Sequence, residues 1–244
     1  MIMHLMIKTF YIRNILFAIF LIVGVNNTTL SQESIDSLSA GLDRSYREDQ
    51  FYFGVTYNLL NKMPAEMAQN GFSSGFHFGF IRDFPINDER NLAIGLGIGY
   101  SANSINQNLQ VSEDDQGNLT YSIIESGMFT RNKFSLHILE LPIEFRWRSS
   151  TPETYKFWRI YAGFKIGYVF ASSVKFKGQP KDYKLKGMED FNLLQYGLTI
   201  SAGYDKFNAH LYYSLNAIFK NEAELNGDQL DATMVKIGLM LYIL

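Results

Sequence analysis

Residues 92–101 read Leu-Ala-Ile-Gly-Leu-Gly-Ile-Gly-Tyr-Ser, so that large apolar side chains alternate strictly with small ones. Successive side chains of a β-strand point to opposite faces, and a period of two is therefore the period of a strand. A helix is a poor alternative, because each glycine of the stretch would destabilise it. The stretch predicts a β-strand with one apolar face and one face of small residues.

The same alternation recurs in segments of about ten residues, as in the strands of a membrane-spanning barrel. The predicted strands are 51–58, 74–82, 92–101, 139–147, 160–170, 196–204, 207–216 and 235–243. Aromatic residues make up 15% of the chain and glycine occurs 19 times. This composition suits a small barrel with aromatic girdles at lipid headgroups, but a soluble β-sandwich shares it.

The lengths of the connections distinguish a barrel from a sandwich. The long connections are 59–73, 103–133, 172–192 and 220–232. The short connections, which alternate with them, are 83–90, 149–157 and 205–206. Transmembrane barrels alternate in this way, with long extracellular loops and short periplasmic turns. We therefore predict an all-β fold: a transmembrane up-and-down antiparallel β-barrel of about eight strands in the bacterial outer membrane, with both termini in the periplasm.

The two faces of each predicted strand differ in character. Apolar residues fill one face, and the other face is small or polar. The hydrocarbon of a bilayer offers no hydrogen-bond partners, so the sheet must close and the apolar face must meet outer-membrane lipid. A soluble barrel would have the opposite arrangement.

The N-terminus predicts export. Lys8 and Arg13 precede an apolar run over 15–25 and a small-x-small cleavage pattern over 29–31, as in a secretory signal peptide. The run is shorter than the roughly 20 residues of a membrane-spanning helix, and an uncleaved anchor is the alternative. The predicted parts are a cleaved signal peptide over 1–31, a periplasmic lead-in over 32–50 and the barrel over 51–244.

The last predicted strand carries a second signal. Lys236, Gly238, Leu241 and Ile243 follow the pattern polar-x-Gly-x-x-apolar-x-apolar. This pattern resembles the β-signal read by the outer-membrane barrel assembly machinery, which is therefore an expected partner. Apolar C-terminal strands are common, so the pattern supports the barrel prediction and does not carry it alone.

Charged residues on the inward faces form the candidate site. The interior of an eight-stranded barrel is only wide enough for side chains to fill it, which disfavours a conducting pore. Buried charges cost several kcal/mol each unless they are paired, so we predict a lumenal polar network that holds the strands in register. A polar binding or gating site is the alternative. The candidate residues are Glu140, Glu144, Arg146, Lys165, His210 and Lys236.

The sequence contains few residue patterns that would indicate catalysis or cofactor binding. The chain has no cysteine, and its net charge of -2 disfavours nucleic acid as a partner. Ser135 and His137 leave a lipid hydrolase as an alternative, but no nucleophile elbow is present. Glu113, Asp114 and Asp115 lack the spacing of an EF-hand, and we interpret them as a solvated acidic loop. We predict a protein that is not an enzyme and has no cofactor or metal.

Two predicted strands resemble a known family. Residues 139–146, Leu-Glu-Leu-Pro-Ile-Glu-Phe-Arg, resemble the Leu-x-apolar-Pro-apolar-x-apolar-basic strand of PorT-family barrels from Bacteroidetes. Residues 161–168, Tyr-Ala-Gly-Phe-Lys-Ile-Gly-Tyr, resemble the aromatic–Gly–Lys–Gly strand that follows it there. The resemblance extends from 52–55 to 213–216. Pro142, which cannot donate to a sheet ladder, is a feature of that family.

The resemblance also implies a function. The namesake of the family is an outer-membrane component of the type IX secretion system, which exports cargo with a C-terminal signal and, in gliding species, surface adhesins. It implies a non-enzymatic component of type IX protein secretion and gliding motility that contacts other secretion-system proteins. A generic small barrel with a structural or adhesive role through its long extracellular loops is the alternative.

Overall fold

A computed structural model describes residues 49–64, 66–113, 119–125, 127–149, 157–179 and 181–243. The predicted signal peptide and most of the predicted lead-in lie outside the described residues. Gln50, which the prediction placed in the lead-in, is the first residue of a strand. Within the described residues, no helix is long and apolar enough to cross a membrane.

The described residues form strands connected by loops and turns. These strands are β1 (Gln50–Asn61), β2 (Ser74–Pro85), β3 (Leu92–Asn106), β4 (Leu109–Glu113), β5 (Leu119–Ile123), β6 (Phe129–Arg148), β7 (Trp158–Gly178), β8 (Tyr183–Lys186), β9 (Leu194–Tyr204), β10 (Phe207–Ser214), β11 (Glu224–Leu225), β12 (Asp228–Gln229) and β13 (Thr233–Ile243).

Eight of these strands close into a barrel. They are joined in the order β6-β3-β2-β1-β13-β10-β9-β7, and β6 pairs with β7 to complete the circle. Every pairing is antiparallel, and the first strand pairs with the last, from Phe51 opposite Ile243 to Asn61 opposite Thr233. The predicted up-and-down antiparallel barrel of eight strands is confirmed.

The connections between barrel strands alternate between long and short, as predicted. The strand ends that the short turns join, those of β2 and β3, β6 and β7, and β9 and β10, lie at one end of the barrel, which we call the turn end. The long connections lie at the other end, which we call the loop end. Here β4 and β5 form a hairpin, β8 extends the sheet beside β7, and β11 and β12 form a second hairpin.

The orientation of the strand faces is also confirmed. In β1, Phe51, Phe53 and Val55 are more than half exposed, whereas Tyr52 and Thr56 are buried inside the barrel. Outward apolar side chains occur on every barrel strand. This continuous apolar belt is the surface that a bilayer covers.

Two strands are much longer than predicted. The alternation predicted strands over 139–147 and 160–170, but β6 has 20 residues and β7 has 21. A strand needs about 9–11 residues to cross a bilayer, so about half of each strand projects beyond the belt. The predicted connection over 103–133 is therefore wrong at both ends, because β3 continues to Asn106 and β6 begins at Phe129. The predicted connection over 172–192 is wrong at its start, because β7 continues to Gly178. The outward side chains become polar there, which ends the apolar alternation without ending the strand.

The two halves of β6 have opposite polarity. Over 139–148, the membrane half, outward side chains are apolar, and Glu140 and Arg146 are buried inside. Over 129–138, the loop-end half, the inward Phe134 and Leu136 are buried. The outward side chains of that half are Arg131, Lys133, Ser135 and His137.

A hydrophobic core fills the loop-end half of the barrel, the part that lies at the level of residues 129–138 of β6. Strand residues and loop residues contribute to it together, because the long connections fold back over the barrel opening. Phe191 and Phe219 come from connections, stack at 5.1 Å between ring centroids and both meet the edge of Phe134. Its buried residues are Leu60, Met67, Ile105, Leu109, Val111, Phe134, Leu136, Ile138, Val169, Val174, Met188, Phe191, Ile218, Phe219, Ala223, Leu225, Leu230, Ala232 and Met234.

Two irregularities lie near the boundary between the halves. The register of β6 and β7 shifts between His137 and Ile138, where Phe170 is left unpaired as a bulge. Pairing of β3 with β6 lapses opposite Pro142, between Leu96 and Gly99, and resumes in the same register. The proline is therefore accommodated by a gap in the ladder and not by a bulge.

Candidate functional site

A first group of buried charges lies across the middle of the barrel. Glu140 on β6 forms an ion pair with Lys165 on β7, whose Nζ lies 2.9 Å from Glu140 Oε2. Lys236 Nζ on β13 is 3.9 Å from the same carboxylate, and His77 Nδ1 on β2 is 3.5 Å from it. All four side chains are nearly inaccessible. This group, the Glu140 cluster, links four strands from around the barrel wall.

A chain of polar side chains continues from this cluster. His77 Nε2 is 3.1 Å from Thr56 Oγ1, and that hydroxyl donates to Asn58 Oδ1 at 3.0 Å. Asn58 Nδ2 in turn donates to Asn103 Oδ1 at 3.3 Å, and Asn103 Nδ2 donates to Ser101 Oγ. These contacts extend the interior polar network across β1, β2 and β3.

His210 lies near the Glu140 cluster without joining its ion pairs. Its Nδ1 is 2.7 Å from Ser201 Oγ on the neighbouring strand, and its Nε2 has no protein hydrogen-bond partner. Lys236 Nζ lies 4.9 Å from the ring centroid of Tyr212, a distance at which a cation is attracted to the aromatic face.

A second group of charges lies toward the turn end. Asp83 on β2 forms ion pairs with Arg146 and, at 2.9 Å, with Arg148 Nη1. Arg146 Nε is also 3.6 Å from Glu144, and Arg146 Nη2 donates to Gln50 Oε1 at 2.6 Å. We call this group the Asp83 cluster. Its two carboxylates and two guanidinium groups balance in formal charge.

Tyrosine rings pack against the Asp83 cluster. The guanidinium of Arg146 lies 3.8 Å from the ring centroid of Tyr161 and 5.3 Å from that of Tyr242. Tyr52 also crosses the interior, where a Cβ at Gly79 would lie only 2.6 Å from its ring. The small residues on the inward faces therefore make room for large rings from other strands.

The predicted network is divided between these groups. Glu140, Lys165 and Lys236 meet in the Glu140 cluster, whereas Glu144 and Arg146 belong to the Asp83 cluster and His210 bonds elsewhere. The structure adds side chains that were not predicted: Gln50, His77, Asp83 and Arg148. The sequence predicts a turn over 83–90 that includes Asp83, which is wrong because β2 continues to Pro85. Extending the inward positions of 74–82 by one step would have found it.

In the described part of the chain, Ser135 and His137 of the hydrolase alternative are not hydrogen-bonded to each other. Ser135 and His137 are both on the outward face of β6. His137 Nδ1 is 2.6 Å from the hydroxyl of Tyr100, and the two rings stack. In the part of the chain that the structure describes, no three His, Asp or Glu side chains are arranged to hold a metal ion. Asp114 and Asp115 lie outside the described residues.

The residues of the predicted assembly signal lie on both faces of β13. Lys236 and Gly238 point inward, while Leu241 and Ile243 point outward. A Cβ at Gly238 would approach the backbone of β1, with Thr56 Cα at 2.6 Å. Gly238 therefore has a packing role in the folded barrel, whatever its role in assembly.

The aromatic residues mark both edges of the apolar belt. Toward the loop end, the outward rings of Tyr100, His137 and Phe170 contact one another at about 6 Å. Toward the turn end, Trp158 and Tyr204 are exposed and 5.5 Å apart. Such girdles lie at the two interfaces between membrane and water.

A closed antiparallel barrel with an apolar belt, two aromatic girdles and buried interior charges is an integral membrane β-barrel. Residues 30–220 match the family model described as "Outer membrane protein beta-barrel domain", and the chain belongs to that family. It is accordingly an outer-membrane protein.

The attachment invasion locus protein Ail of Yersinia pestis is similar at 11% identity, over 80% of this chain and 97% of that one. The TM-score is 0.29, which is too low to support a functional comparison. No curated protein matches the chain.

Proposed function

We propose that this chain is a non-enzymatic outer-membrane barrel that binds partners at the cell surface through its loop end, an adhesive role. The observation that carries the proposal is the hydrophobic core of the loop-end half, which packs the long connections into a fixed shape. Loops that are already held in one conformation lose less conformational entropy when they bind a partner. Both termini then lie in the periplasm, as is usual for a barrel with this connection pattern.

The interior of the barrel supports a structural assignment for the buried charges. The Glu140 and Asp83 clusters join strands that are distant in sequence, and tyrosines fill the space between their backbones. Unpaired charges at these depths would be costly, so the clusters fix which strand positions face each other. We assign them to strand register and not to conduction or gating.

A groove at the loop end is the candidate binding surface. It is a cavity of about 390 Å³ lined by Asn70, Phe72, Asn106, Phe129 and Arg131 among others. Phe72 is 69% exposed. Asn70 contributes an amide group and Phe72 an exposed aromatic face to this lining. Ligand sites place a few polar groups beside aromatic side chains in this way. Surface glycans offer both chemistries, and they are the partner class that we propose for this groove.

The test compares cell attachment to glycan-coated plates for the wild type, a deletion strain and complemented strains. We expect the deletion strain to lose attachment and the wild-type gene to restore it. A gene encoding Asn70→Ala with Phe72→Ala should fail to restore it. Phe84→Ala, which removes an exposed ring from the turn end, is the matched control and should restore it. Normal attachment of the deletion strain would refute the proposal.

The second candidate is the role in type IX secretion implied by the PorT-family resemblance. Residues 139–146 carry that resemblance, and in this chain they alternate between lipid and the interior clusters. The stretch therefore serves barrel construction and does not identify a partner. Depletion followed by localisation of C-terminal-signal cargo tests this candidate. Unprocessed cargo in the periplasm, with other barrels assembled normally, would favour secretion over adhesion.

A further inference from the structure

The outward surface of the loop-end half carries a concentration of positive charge. This surface, the basic face, consists of outward side chains on β6, β7 and β8: Arg131, Lys133, Lys175, Lys177, Lys184 and Lys186. The whole chain has a net charge of -2, so the basic face is a local feature.

Strand register places these cations next to one another. Arg131 is directly opposite Lys177, and Lys133 is opposite Lys175, which is itself opposite Lys184. Like charges in directly opposed positions of an antiparallel pair are destabilising. Burial and the neighbouring cations Arg131, Lys175 and Lys184 lower the pKa of Lys133. Among the described residues, none of the six forms an ion pair.

The basic face lies directly beside the membrane. Moving along β6 from the apolar belt, the outward positions are Leu139, the girdle residue His137, Ser135 and then Lys133. A strand rises about 3.3 Å per residue and tilts about 45°, so the lysine row lies about 9 Å above the girdle. Ser173, opposite Ser135, adds a second hydroxyl between the cations and the girdle.

We propose that the basic face binds the phosphate groups of the glycolipid that forms the outer leaflet of the outer membrane. The cations lie at the height of lipid headgroups, and the apolar belt below them is continuous with the surface that lipid chains cover. Clustered cations next to a membrane attract anionic lipid. Binding of a protein ligand would not depend on cations that lie next to the apolar belt. The inference uses the proposed orientation of the loop end but not the adhesive role.

The experiment uses the purified full-length protein in detergent micelles, titrated with lipid A that carries two phosphates. The same lipid without its phosphates is the comparison ligand. We expect the phosphorylated lipid to bind and the dephosphorylated lipid to bind at least about tenfold more weakly. The variant with Lys133→Gln, Lys175→Gln and Lys184→Gln should lose about 100-fold in affinity, since each cation near an anionic surface contributes about fivefold.

The control is Lys206→Gln with Lys220→Gln, which removes two positive charges outside the basic face and should bind as the wild type does. The three-lysine variant should unfold at the wild-type temperature or above it, because it relieves repulsion. If it fails to fold, the same three positions changed to Arg should retain binding, and added salt should weaken it. Equal binding of the two lipids, or wild-type affinity in the glutamine variant, would overturn the proposal. Preference for soluble heparin over the phosphorylated lipid would also overturn it.

Discussion

The two halves of β6 share one backbone and one pleat, yet their polarity is reversed. In 139–148 the outside is apolar and the inside carries Glu140, Glu144 and Arg146, whereas in 129–138 the inside is apolar and the outside is basic. The membrane half is surrounded by hydrocarbon and the loop-end half by water. The comparison shows that alternation specifies a strand, while the surrounding solvent determines which of its faces is apolar.

The stabilising interactions differ accordingly. The outward apolar side chains of the membrane half are in contact with lipid however well the interior of the barrel is packed. The interactions that select one arrangement of the strands there are therefore the ion pairs and hydrogen bonds inside the barrel. The loop-end half resembles a soluble protein, in which burial of apolar surface contributes about 25 cal/mol per Å². Substitutions in the two halves should therefore respond to different chemistry.

The largest expected effect is that of Glu140→Ala in the membrane half. The change leaves Lys165 and Lys236 buried without their carboxylate, and breaking such a buried pair costs about 3–5 kcal/mol. The free energy of unfolding in urea, measured in detergent or lipid vesicles, should fall by this amount. Adding Lys165→Met and Lys236→Met should restore at least half of the loss.

The control for this prediction is Glu222→Ala, at an exposed position of a loop-end connection. It should change the unfolding free energy by less than about 0.5 kcal/mol. A loss below about 1 kcal/mol for Glu140→Ala would show that the Glu140 cluster does not stabilise the membrane half as buried pairs do.

A smaller and more local effect is expected for Leu136→Ala. Leu136 is fully buried in the loop-end core, and such truncations cost about 2–5 kcal/mol. We expect faster hydrogen exchange and proteolysis of the loop-end connections, while the membrane half keeps its protection. Leu139→Ala, three residues away but facing lipid, is the matched control and should leave the connections protected. Equal exposure in both variants would contradict the separation of the two halves.

Gly238→Ala tests whether the C-terminal pattern is an assembly signal only. A Cβ at this position meets the backbone of β1, and overpacking of this kind costs about 1–3 kcal/mol. The purified variant should therefore refold into detergent with reduced stability, even without the assembly machinery. Leu241→Ala, on the outward face, should refold as the wild type does. Unchanged stability of Gly238→Ala, together with poor assembly in cells, would leave recognition as its role.

The smallest expected effect has the opposite sign. Lys133→Gln removes one of three adjacent cations on the basic face, and relief of directly opposed like charges is worth about 0.2–1 kcal/mol. The free energy of unfolding should rise slightly at low salt, and the gain should vanish in high salt because salt screens exposed charges. A loss of stability would mean that Lys133 makes a favourable contact, and it would weaken the case that the basic face is kept for binding.

The eight barrel strands, the outward orientation of their apolar faces and the alternation of connection lengths could all be predicted from the sequence. The extent of the strands could not. On the N-terminal side of Leu139 the outward residues of β6 are polar. A prediction that recognises a strand by its apolar outward face therefore ends the strand at Leu139. Short strands such as β8 and the two loop-end hairpins have too few residues for periodicity to distinguish them from loops.

Only part of the interior site could be predicted. The alternation of inward and outward positions along a strand predicts the inward charges of β6, β7 and β13. It does not predict which of these charges meet across the barrel. Arg146 pairs with Asp83, which is 63 positions away in sequence, and not with Glu140 on its own strand. That choice depends on the stagger of the strands around the barrel, which a single strand pattern does not contain.

By itself, the sequence determined the class of protein. It has a period of two, an apolar face on every strand and connections of alternating length. A closed membrane barrel accounts for all three features, because closing the sheet pairs every backbone N–H and C=O group within lipid. Only the tertiary structure decided where the membrane half ends, how the long connections build a core of their own, and which charges form the Glu140 and Asp83 clusters. It also placed the cations of the basic face side by side. These features depend on register between strands that are distant in sequence, because contacts across a barrel are set by pairing and closure and not by neighbours along the chain.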